Sequence, residues 1–251
     1  MESNIFACDI TYASYMYEFT ILVPVYNEAE NIPRLGRELS AYLQKASRRT
    51  SVLLINDGSD DESQLLIEEL CHRQPDFHYI TLAQNGGLST ALKAGFDELK
   101  TPLAGYMDAD LQTHPDDFEI LLPYSEKYDL VNGVRVNRED SSIKRLSSLV
   151  ANKIRRSFTQ DGMDDTGCPL KVMRTASVQR IPMFRGLHRF LPAMILLQQG
   201  RIIQIPVRHF PRQAGQAKFG LWNRVWGPLM DCFAYLWMRK KYIRYEVKSR
   251  G

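Results

Sequence analysis

Asp108-Ala-Asp110 closes a short apolar run, Leu103 to Met107, and Gln112 follows two residues on. Carboxylates at i and i+2 around a strand end can share one hard divalent cation, and an amide oxygen can add to the shell. Such a cation neutralises a substrate diphosphate, so these residue types point to transfer from a phosphate leaving group. Taken alone the triplet is common and serves equally well as a turn with a helix N-cap. Three other polar clusters have a similar form. Pro24-Val-Tyr-Asn-Glu28 ends an apolar run. Asn56-Asp-Gly-Ser-Asp60 ends another; Gly58 permits a tight turn, and Asp57 can accept hydrogen bonds from a base or ribose. Asn85-Gly-Gly87 breaks the chain before a helical stretch. The histidines at 72, 78, 114, 188 and 209 show no ligand spacing. His114 is close enough in sequence to Gln112 for a contact with donor or metal, against the plainer reading of a histidine at a helix start.

What makes the clusters meaningful is where they fall in the pattern of elements. Phe19 to Val25 is a continuous apolar run of the kind a doubly covered parallel strand shows. Further strands are expected at Ser51 to Asn56, Phe77 to Leu82, Leu103 to Met107 and Asp129 to Val134. Helices are expected between them, at Ile32 to Lys45, Glu62 to Arg73 and Leu88 to Leu99, with another opening at His114-Pro-Asp-Asp117. Strand and helix alternate over short links, which implies right-handed parallel crossovers in an α/β layer. In such sheets ligands bind outside the carboxyl ends of the strands, and all four clusters fall there. Beyond residue 135 the pattern changes. Ser142 to Phe158 reads as a basic helix, Cys168 to Arg174 as a strand, His188 to Gln199 as an apolar helix and Arg201 to Val207 as a strand.

The chain has 251 residues, 44% hydrophobic and 24% charged, which fits one globular domain with a small appendage and argues against disorder. Net charge is +3, but its distribution is uneven. Residues 1–125 hold 8 Lys/Arg and 20 Asp/Glu, net −12, and residues 126–251 hold 24 and 9, net +15. The acidic half suits a cation and the basic half an anionic partner: phosphate, membrane or nucleic acid. Four separated cysteines (8, 71, 168, 232) include no CxxC pair, which disfavours zinc ribbons and thioredoxin-type chemistry. No stretch is long and apolar enough to span a membrane, and no secretory signal is evident. Residues 1–16 are expected to be an N-terminal extension: either residues 1–15 are dispensable or Met16 is the natural start.

The four clusters, in this order and spacing, resemble family 2 glycosyltransferases of the GT-A fold, in the dolichyl-phosphate mannosyltransferase-like subgroup. The likeness continues through Asn132-Gly-Val-Arg135, Asp165-Thr-Gly-Cys-Pro-Leu-Lys171 and Leu221-Trp-Asn-Arg224. It implies a mostly parallel α/β sheet with helices on both faces over 17–212, then an acceptor loop, an amphipathic helix and a basic tail over 213–251. It also implies roles. Pro24, Tyr26 and Glu28 would line the nucleotide pocket with Asp108, and Asp57 would hold the base. Asp108, Asp110 and Gln112 would bind Mg²⁺ or Mn²⁺ on the diphosphate of a GDP- or UDP-linked sugar. Arg135, Lys144, Ser148, Arg212 and Lys218 would bind the phosphate of a polyprenyl (dolichyl or undecaprenyl) acceptor. Asp110 and Arg135 would be the catalytic pair. Asn56 stands where many relatives have Asp, and Ala217-Lys-Phe219 replaces the usual Ser-Lys-Tyr.

The acceptor chemistry gives the mechanism. A sugar hydroxyl needs a general base, whereas a phosphate monoester is already anionic near neutrality and needs only placement and charge compensation. In-line displacement inverts the anomeric centre. Leu221 to Lys241 carries Trp222, Val225, Trp226, Leu229, Met230, Phe233, Leu236 and Trp237 on one helical face, ahead of Arg239-Lys-Lys241. That suits a helix lying in an anionic membrane interface on the cytosolic side, against packing on the sheet or another subunit. The competing function is transfer to a glycan hydroxyl, with Asp164 or Asp165 as base. A dinucleotide oxidoreductase is disfavoured because no GxGxxG follows the first strand. Nucleic acid is not an expected partner, since a basic binding module would leave the four polar strand ends unexplained.

Overall fold

The computed structural model describes residues 17–136, 155–211, 226–243 and 248–249, and of 226–229 the backbone alone. Strands β1 (Phe19–Val25), β2 (Thr50–Asn56), β3 (Phe77–Thr81) and β4 (Leu103–Tyr106) alternate with helices α1 (Ile32–Leu43), α2 (Ser63–Arg73) and α3 (Leu88–Glu98). Strands β5 (Leu130–Arg135), β6 (Lys171–Arg174) and β7 (Ile202–Val207) complete one sheet, ordered β3-β2-β1-β4-β6-β5-β7. Helices α4 (Phe118–Leu121), α5 (Thr175–Gln179), α6 (Leu191–Leu197) and α7 (Trp226–Lys241) follow in chain order, with a helical turn at 155–159.

Parallel pairing joins β3, β2, β1 and β4, and also β5 and β7. The expected run of crossovers breaks at β6, which lies antiparallel between β4 and β5. Its reversed direction brings the beginning of β6, Lys171, level with Tyr106 near the end of β4 and with Asn132 on β5. The chain entering β6 is thereby placed at the carboxyl edge of the parallel strands. The helix expected from His114 is interrupted: a 3₁₀ turn at Pro115–Asp117, the short α4 and a second 3₁₀ turn at Leu122–Glu126 replace it.

Alternate residues of the central strands feed two cores, as the two-residue strand period requires. Ile21, Val23, Val52 and Leu54 pack with Leu35 and Leu39 of α1, Ile67 of α2 and Phe118 of α4. Leu22, Leu53 and Ile55 pack with Leu92 and Phe96 of α3, Met194 of α6, and Cys232 and Tyr235 of α7. Helices therefore cover both faces, as expected. Cys71, Cys168 and Cys232 are free thiols.

Gly105 of β4 shows how tightly the first core closes. A Cβ there would come 2.5 Å from the tip of the Phe19 ring and 3.2 Å from Phe118. Those rings meet edge to face at 5.2 Å and are both fully buried, so neither can swing aside. Gly105→Ala should cost about 1–3 kcal/mol of overpacking, read as a lower urea midpoint with an unchanged slope.

Candidate active site

The β1–α1–β2–α2–β3 segment puts its helices on one face, and α3, leading from β3 to β4, lies on the other. The connection changes side between β1 and β4, and a crevice opens there at the carboxyl ends. β4 pairs with β1 only as far as Leu22↔Tyr106. β1 runs three residues further, which is why Pro24, lacking an N–H, is tolerated in a central strand. Tyr26 and Glu28 on one side and Asp108 and Asp110 on the other flank this crevice.

Hydrogen bonds weld the loops after β1, β2 and β3 together. Asn27, in the left-handed region at φ 49°, exchanges two hydrogen bonds with Asp60: its Nδ2 donates to Oδ1 at 2.6 Å, and the Asp60 N–H donates back at 3.0 Å. Ser63 Oγ accepts from the Glu28 N–H, and Asn31 donates to the Glu28 carboxylate. Asn56, almost fully buried, accepts from the Ser59 N–H and hydroxyl and donates to Gln64 at 2.6 Å. A carboxylate at 56 could not donate that last bond. Asp57 accepts from Asn85 Nδ2 (3.1 Å), the Gly86 N–H (2.9 Å) and the Gly87 N–H (2.8 Å). Both its oxygens thus hold the Asn85–Gly87 loop, and about one lone-pair site is left for a ligand. Gly58 makes the close approach possible: at φ 67°, a Cβ would lie 2.5 Å from the Gln84 carbonyl carbon.

Beyond β4 the chain turns sharply at Leu111, buried at φ 55°, a conformation that costs roughly 1–2 kcal/mol for a residue with a Cβ. The turn brings Asp110 Oδ1 to the Gln112 N–H at 3.1 Å. Tyr106 donates its hydroxyl to Asp108 Oδ1 at 2.7 Å. Burial, then the negative charge of Asp110, pushes the Asp108 carboxyl up to about 6, while Tyr106, Arg135 and Lys171 pull the other way. A buried carboxyl pushed up by burial and by its neighbour's negative charge fits a divalent cation, which would relieve the repulsion. From the far side of the sheet, the Phe210 N–H donates to the Gln112 carbonyl at 2.9 Å, bringing the chain at His209 to the same edge. Arg208 anchors that segment on the fully buried Asp117.

Arg135, at the end of β5, is gripped by Asp165 in a two-pronged ion pair, Nε to Oδ2 at 2.8 Å and Nη2 to Oδ1 at 2.9 Å. Burial alone would lower the guanidinium's proton affinity; the Asp165 carboxylate overrides it and holds the group above its ordinary range. Among the described residues the grip takes two of the five N–H donors and leaves three. Lys171 lies beneath, 1% exposed, with Nζ donating to the carbonyls of Thr166 and Cys168. Burial pushes its ammonium down to about 8, with Asp165 and Asp108 opposing.

On the α3 side, Ser89 Oγ accepts from the Gly186 and His188 N–H groups and meets His188 Nδ1 at 2.8 Å. The hydroxyl proton therefore goes to Nδ1, and the neutral ring carries its own proton on Nε2. Burial, with Arg189 and Lys171 nearby, pushes His188 down to about 3. His114 caps the 3₁₀ turn, Nδ1 accepting from the Asp116 N–H, and its Nε2 lies 3.4 Å from Glu38.

The structure thus gathers Asp108, Asp110, Gln112 and Arg135 at adjoining strand ends, with Pro24, Tyr26, Glu28 and Asp57 on the neighbouring strands. Lys144, Ser148, Arg212 and Lys218 lie outside the described residues, as do most of the basic helix and Leu221–Arg224. Asn132, Asp165 and Lys171 stand in motifs quoted above, but the reading of the sequence gave no role to Asn132 or Lys171 and treated Asp165 only as a candidate base. A lysine among apolar strand residues was the available signal.

Helices on both faces of this mixed sheet, with a carboxylate pair at the switch point, define a GT-A fold. The chain belongs to glycosyl transferase family 2, whose family model matches residues 20–181. It is 30% identical over 213 residues, 84% of its length, to the undecaprenyl-phosphate 4-deoxy-4-formamido-L-arabinose transferase of Enterobacter sp. (strain 638). It spans 65% of that curated relative's length. Among solved structures it resembles glucosyl-3-phosphoglycerate synthase from Mycobacterium tuberculosis, in complex with Mn²⁺, UDP-glucose and phosphoglyceric acid. The TM-score is 0.69 at 12% identity, covering 97% of this chain and 87% of that one. A mannosyltransferase from Pyrobaculum calidifontis in complex with GDP-Man and Mn²⁺ matches at TM-score 0.65 and 18% identity, covering 88% and 64%.

The Asp57 anchor is open to test. Asp57→Ala leaves the Gly86 and Gly87 N–H groups without their carboxylate and should cost about 1.5–3 kcal/mol. Amide exchange at those two glycines should speed up with the drop in stability. Unchanged exchange would show that the loop holds itself.

Proposed function

We propose that this chain moves a sugar from a GDP- or UDP-linked donor to a polyprenyl phosphate, with inversion, at a membrane surface. The observation that carries this reading is Arg135. Asp165 locks it in orientation and fixes its charge, yet among the described residues three of its N–H donors remain for an anion. The same contact disfavours a hydroxyl acceptor. Asp165, one candidate base, is committed to Arg135, and Asp164, the other, is held by Gln204 (2.6 Å) and Arg156 (2.8 Å). A phosphate acceptor needs no base: its oxygen attacks the anomeric carbon, the bond to the donor's β-phosphate oxygen breaks, and the electron pair leaves with the nucleoside diphosphate. No proton has to move. The similarity to an undecaprenyl-phosphate transferase supports this acceptor class.

Asp108, Asp110 and Gln112 would hold Mg²⁺ or Mn²⁺. Among the described residues no third His, Cys, Asp or Glu joins the carboxylate pair, and phosphate oxygens and water can complete such a shell. When bound, the cation neutralises the leaving diphosphate. Pro24, Tyr26 and Glu28 would line the nucleotide pocket with Asp108, and Asp57 would hold the base with its remaining acceptor site while anchoring the Asn85–Gly87 loop. Lys144, Ser148, Arg212 and Lys218 complete the proposed acceptor set on the strength of the resemblance.

Membrane attachment is assigned to α7. Its inner face packs Cys232 and Tyr235 into the core, with Tyr235 stacked on Phe190 at 5.7 Å. Its outer face leaves Met230, Phe233 and Trp237 more than half exposed, at i, i+3 and i+7, ahead of Arg239, Lys240 and Lys241. Apolar side chains beside a basic run suit an anionic interface. No helix among the described residues is long and apolar enough to cross a membrane.

Three measurements test this reading. Supplied with nucleotide sugars, the protein should glycosylate a short-chain polyprenyl phosphate and not the matching polyprenol; turnover of the alcohol would overturn it. Asp110→Asn should lower turnover by about 10²–10³-fold and abolish stimulation by Mn²⁺, with the melting temperature retained. The double variant Met230→Glu, Trp237→Glu should release the protein from anionic vesicles in flotation without lowering its melting temperature, since both side chains are exposed, whereas Phe233 also packs on Phe158. A melting loss with intact flotation would reassign the helix to packing.

A further inference from the structure

We infer that Lys171, with its cross-strand partner Asn132, is a positioning residue that sets the Arg135 guanidinium for the acceptor phosphate. The inference rests on the proposed acceptor reading and deepens it. Asn132 and Lys171 sit opposite each other in the antiparallel β5–β6 pair, and both are buried, at 0% and 1% exposure. Asn132 Nδ2 donates to the Asp165 carbonyl at 3.0 Å and to the Gly133 carbonyl at 2.7 Å. Lys171 Nζ donates to the Thr166 and Cys168 carbonyls. Two side chains from neighbouring strands thus hold the carbonyls of three of the four residues from 165 to 168. A turn bond from the Cys168 N–H to the Asp165 carbonyl closes the loop above them.

This loop carries the Asp165 carboxylate that grips Arg135. It also brings Gly167 to the flank of the guanidinium, where a Cβ would touch Nη2 at 3.4 Å, so backbone covers that flank and no side chain blocks it. Holding a loop by its carbonyls does not by itself require a charge, and a buried ammonium is a costly way to do it. What the ammonium adds is a cation fixed under Asp165 and Asp108, both of which favour its charged form. It balances the carboxylate that orients Arg135 without taking any of Arg135's donors. Contact runs from Lys171 and Asn132 to the loop, from the loop to Asp165, and from Asp165 to Arg135. The nucleotide loops after β1, β2 and β3 are held by a separate set of bonds, and Lys171 reaches the donor side only through its charge at Asp108, so with metal saturating the donor should feel the change less than the acceptor.

The test is steady-state kinetics with a short-chain polyprenyl phosphate in the presence of saturating metal. Lys171→Met keeps the unbranched stem and removes the charge and donors. It should raise the acceptor KM about tenfold or more while the donor KM stays within about twofold. In an Arg135→Lys background, which cannot reproduce the two-pronged grip, the same change should have little further effect on the acceptor, because the two residues act in one chain of contacts. Asn132→Ala should shift the acceptor KM in the same direction and keeps the idea testable if Lys171→Met does not fold. Equal rises for donor and acceptor, effects that add fully with Arg135→Lys, or a lower melting temperature with both KM values unchanged would each overturn the inference. A wild-type protein that does not use the phosphate acceptor would instead reject the underlying reading.

Discussion

Five charged groups crowd the carboxyl edge where β4, β6 and β5 meet: Asp108, Asp110, Asp165, Arg135 and Lys171. Taking charges out of water is expensive unless each finds a partner, and this requirement shapes the surrounding structure. Three carboxylates against two cations leave one negative charge in excess. The excess concentrates at Asp108 and Asp110, where the carboxyl of Asp108 is held back from ionising. It is absent at Arg135, where Asp165 neutralises the guanidinium and orients it. The two ends of the cluster are therefore poised differently, one to take a cation and the other an anion. The antiparallel β6 makes this possible. A parallel strand in its place would start at the opposite edge and carry Lys171 and the 165–168 loop away from the carboxylates.

A second constraint governs the nucleotide side. Chain leaving the strands of a parallel sheet exposes backbone donors and acceptors that must be satisfied before a ligand can be held. Here side chains of the loops do this for one another. Asn27 serves Asp60, Asn56 serves Ser59 and Gln64, Ser63 serves Glu28, and Asp57 serves the Asn85–Gly87 loop. The positive φ of Asn27 and Leu111 carries a local cost on each side of the crevice. Those strained turns persist because neighbouring bonds over-determine them, and they fix the chain at Glu28 and Asp110 on the two sides of the switch point.

The first four strands and their polar ends were legible because both signals are local. A run such as Phe19 to Val25 declares a buried strand, and Asp108-Ala-Asp110 marks its neighbour's end. Family membership followed from their order. What stayed hidden depends on distant partners. A four-residue strand such as Lys171–Arg174 carries no mark of its direction, so the break in the parallel order could not be read. That Asp57 also anchors Asn85–Gly87 was hidden, because nothing local shows that this loop folds back onto it. His188 showed no ligand spacing; its tautomer is set by Ser89, 99 residues away. The stripe on α7 was read as one face because the spacing of its tryptophans stood out. Cys232 and Tyr235, less conspicuous, are the residues that dock it.

That docking ties the two halves of the proposed reaction together. α7 does not rest on the sheet alone. It meets the segment 186–190, where Phe190 stacks on Tyr235 and Gly186, at φ 90°, leaves room for the Asp231 carboxylate that no Cβ would permit. The same segment bears His188, fixed by Ser89 at the start of α3, and Arg189, whose charge is felt at both Asp231 and Tyr106. Tyr106 in turn holds Asp108. A helix that presents apolar side chains outward is thus joined through one short segment to the carboxylate pair at the switch point. On the proposed reading, the acceptor's chain and its phosphate make opposite demands, one for an apolar surface and one for buried cations. On that reading the joint between α7 and the sheet edge would serve both, relating the depth of a lipid held at the interface to the position of the carboxylate pair. Loosening the joint at Gly186 or Tyr235 would change that depth without touching any group that reacts.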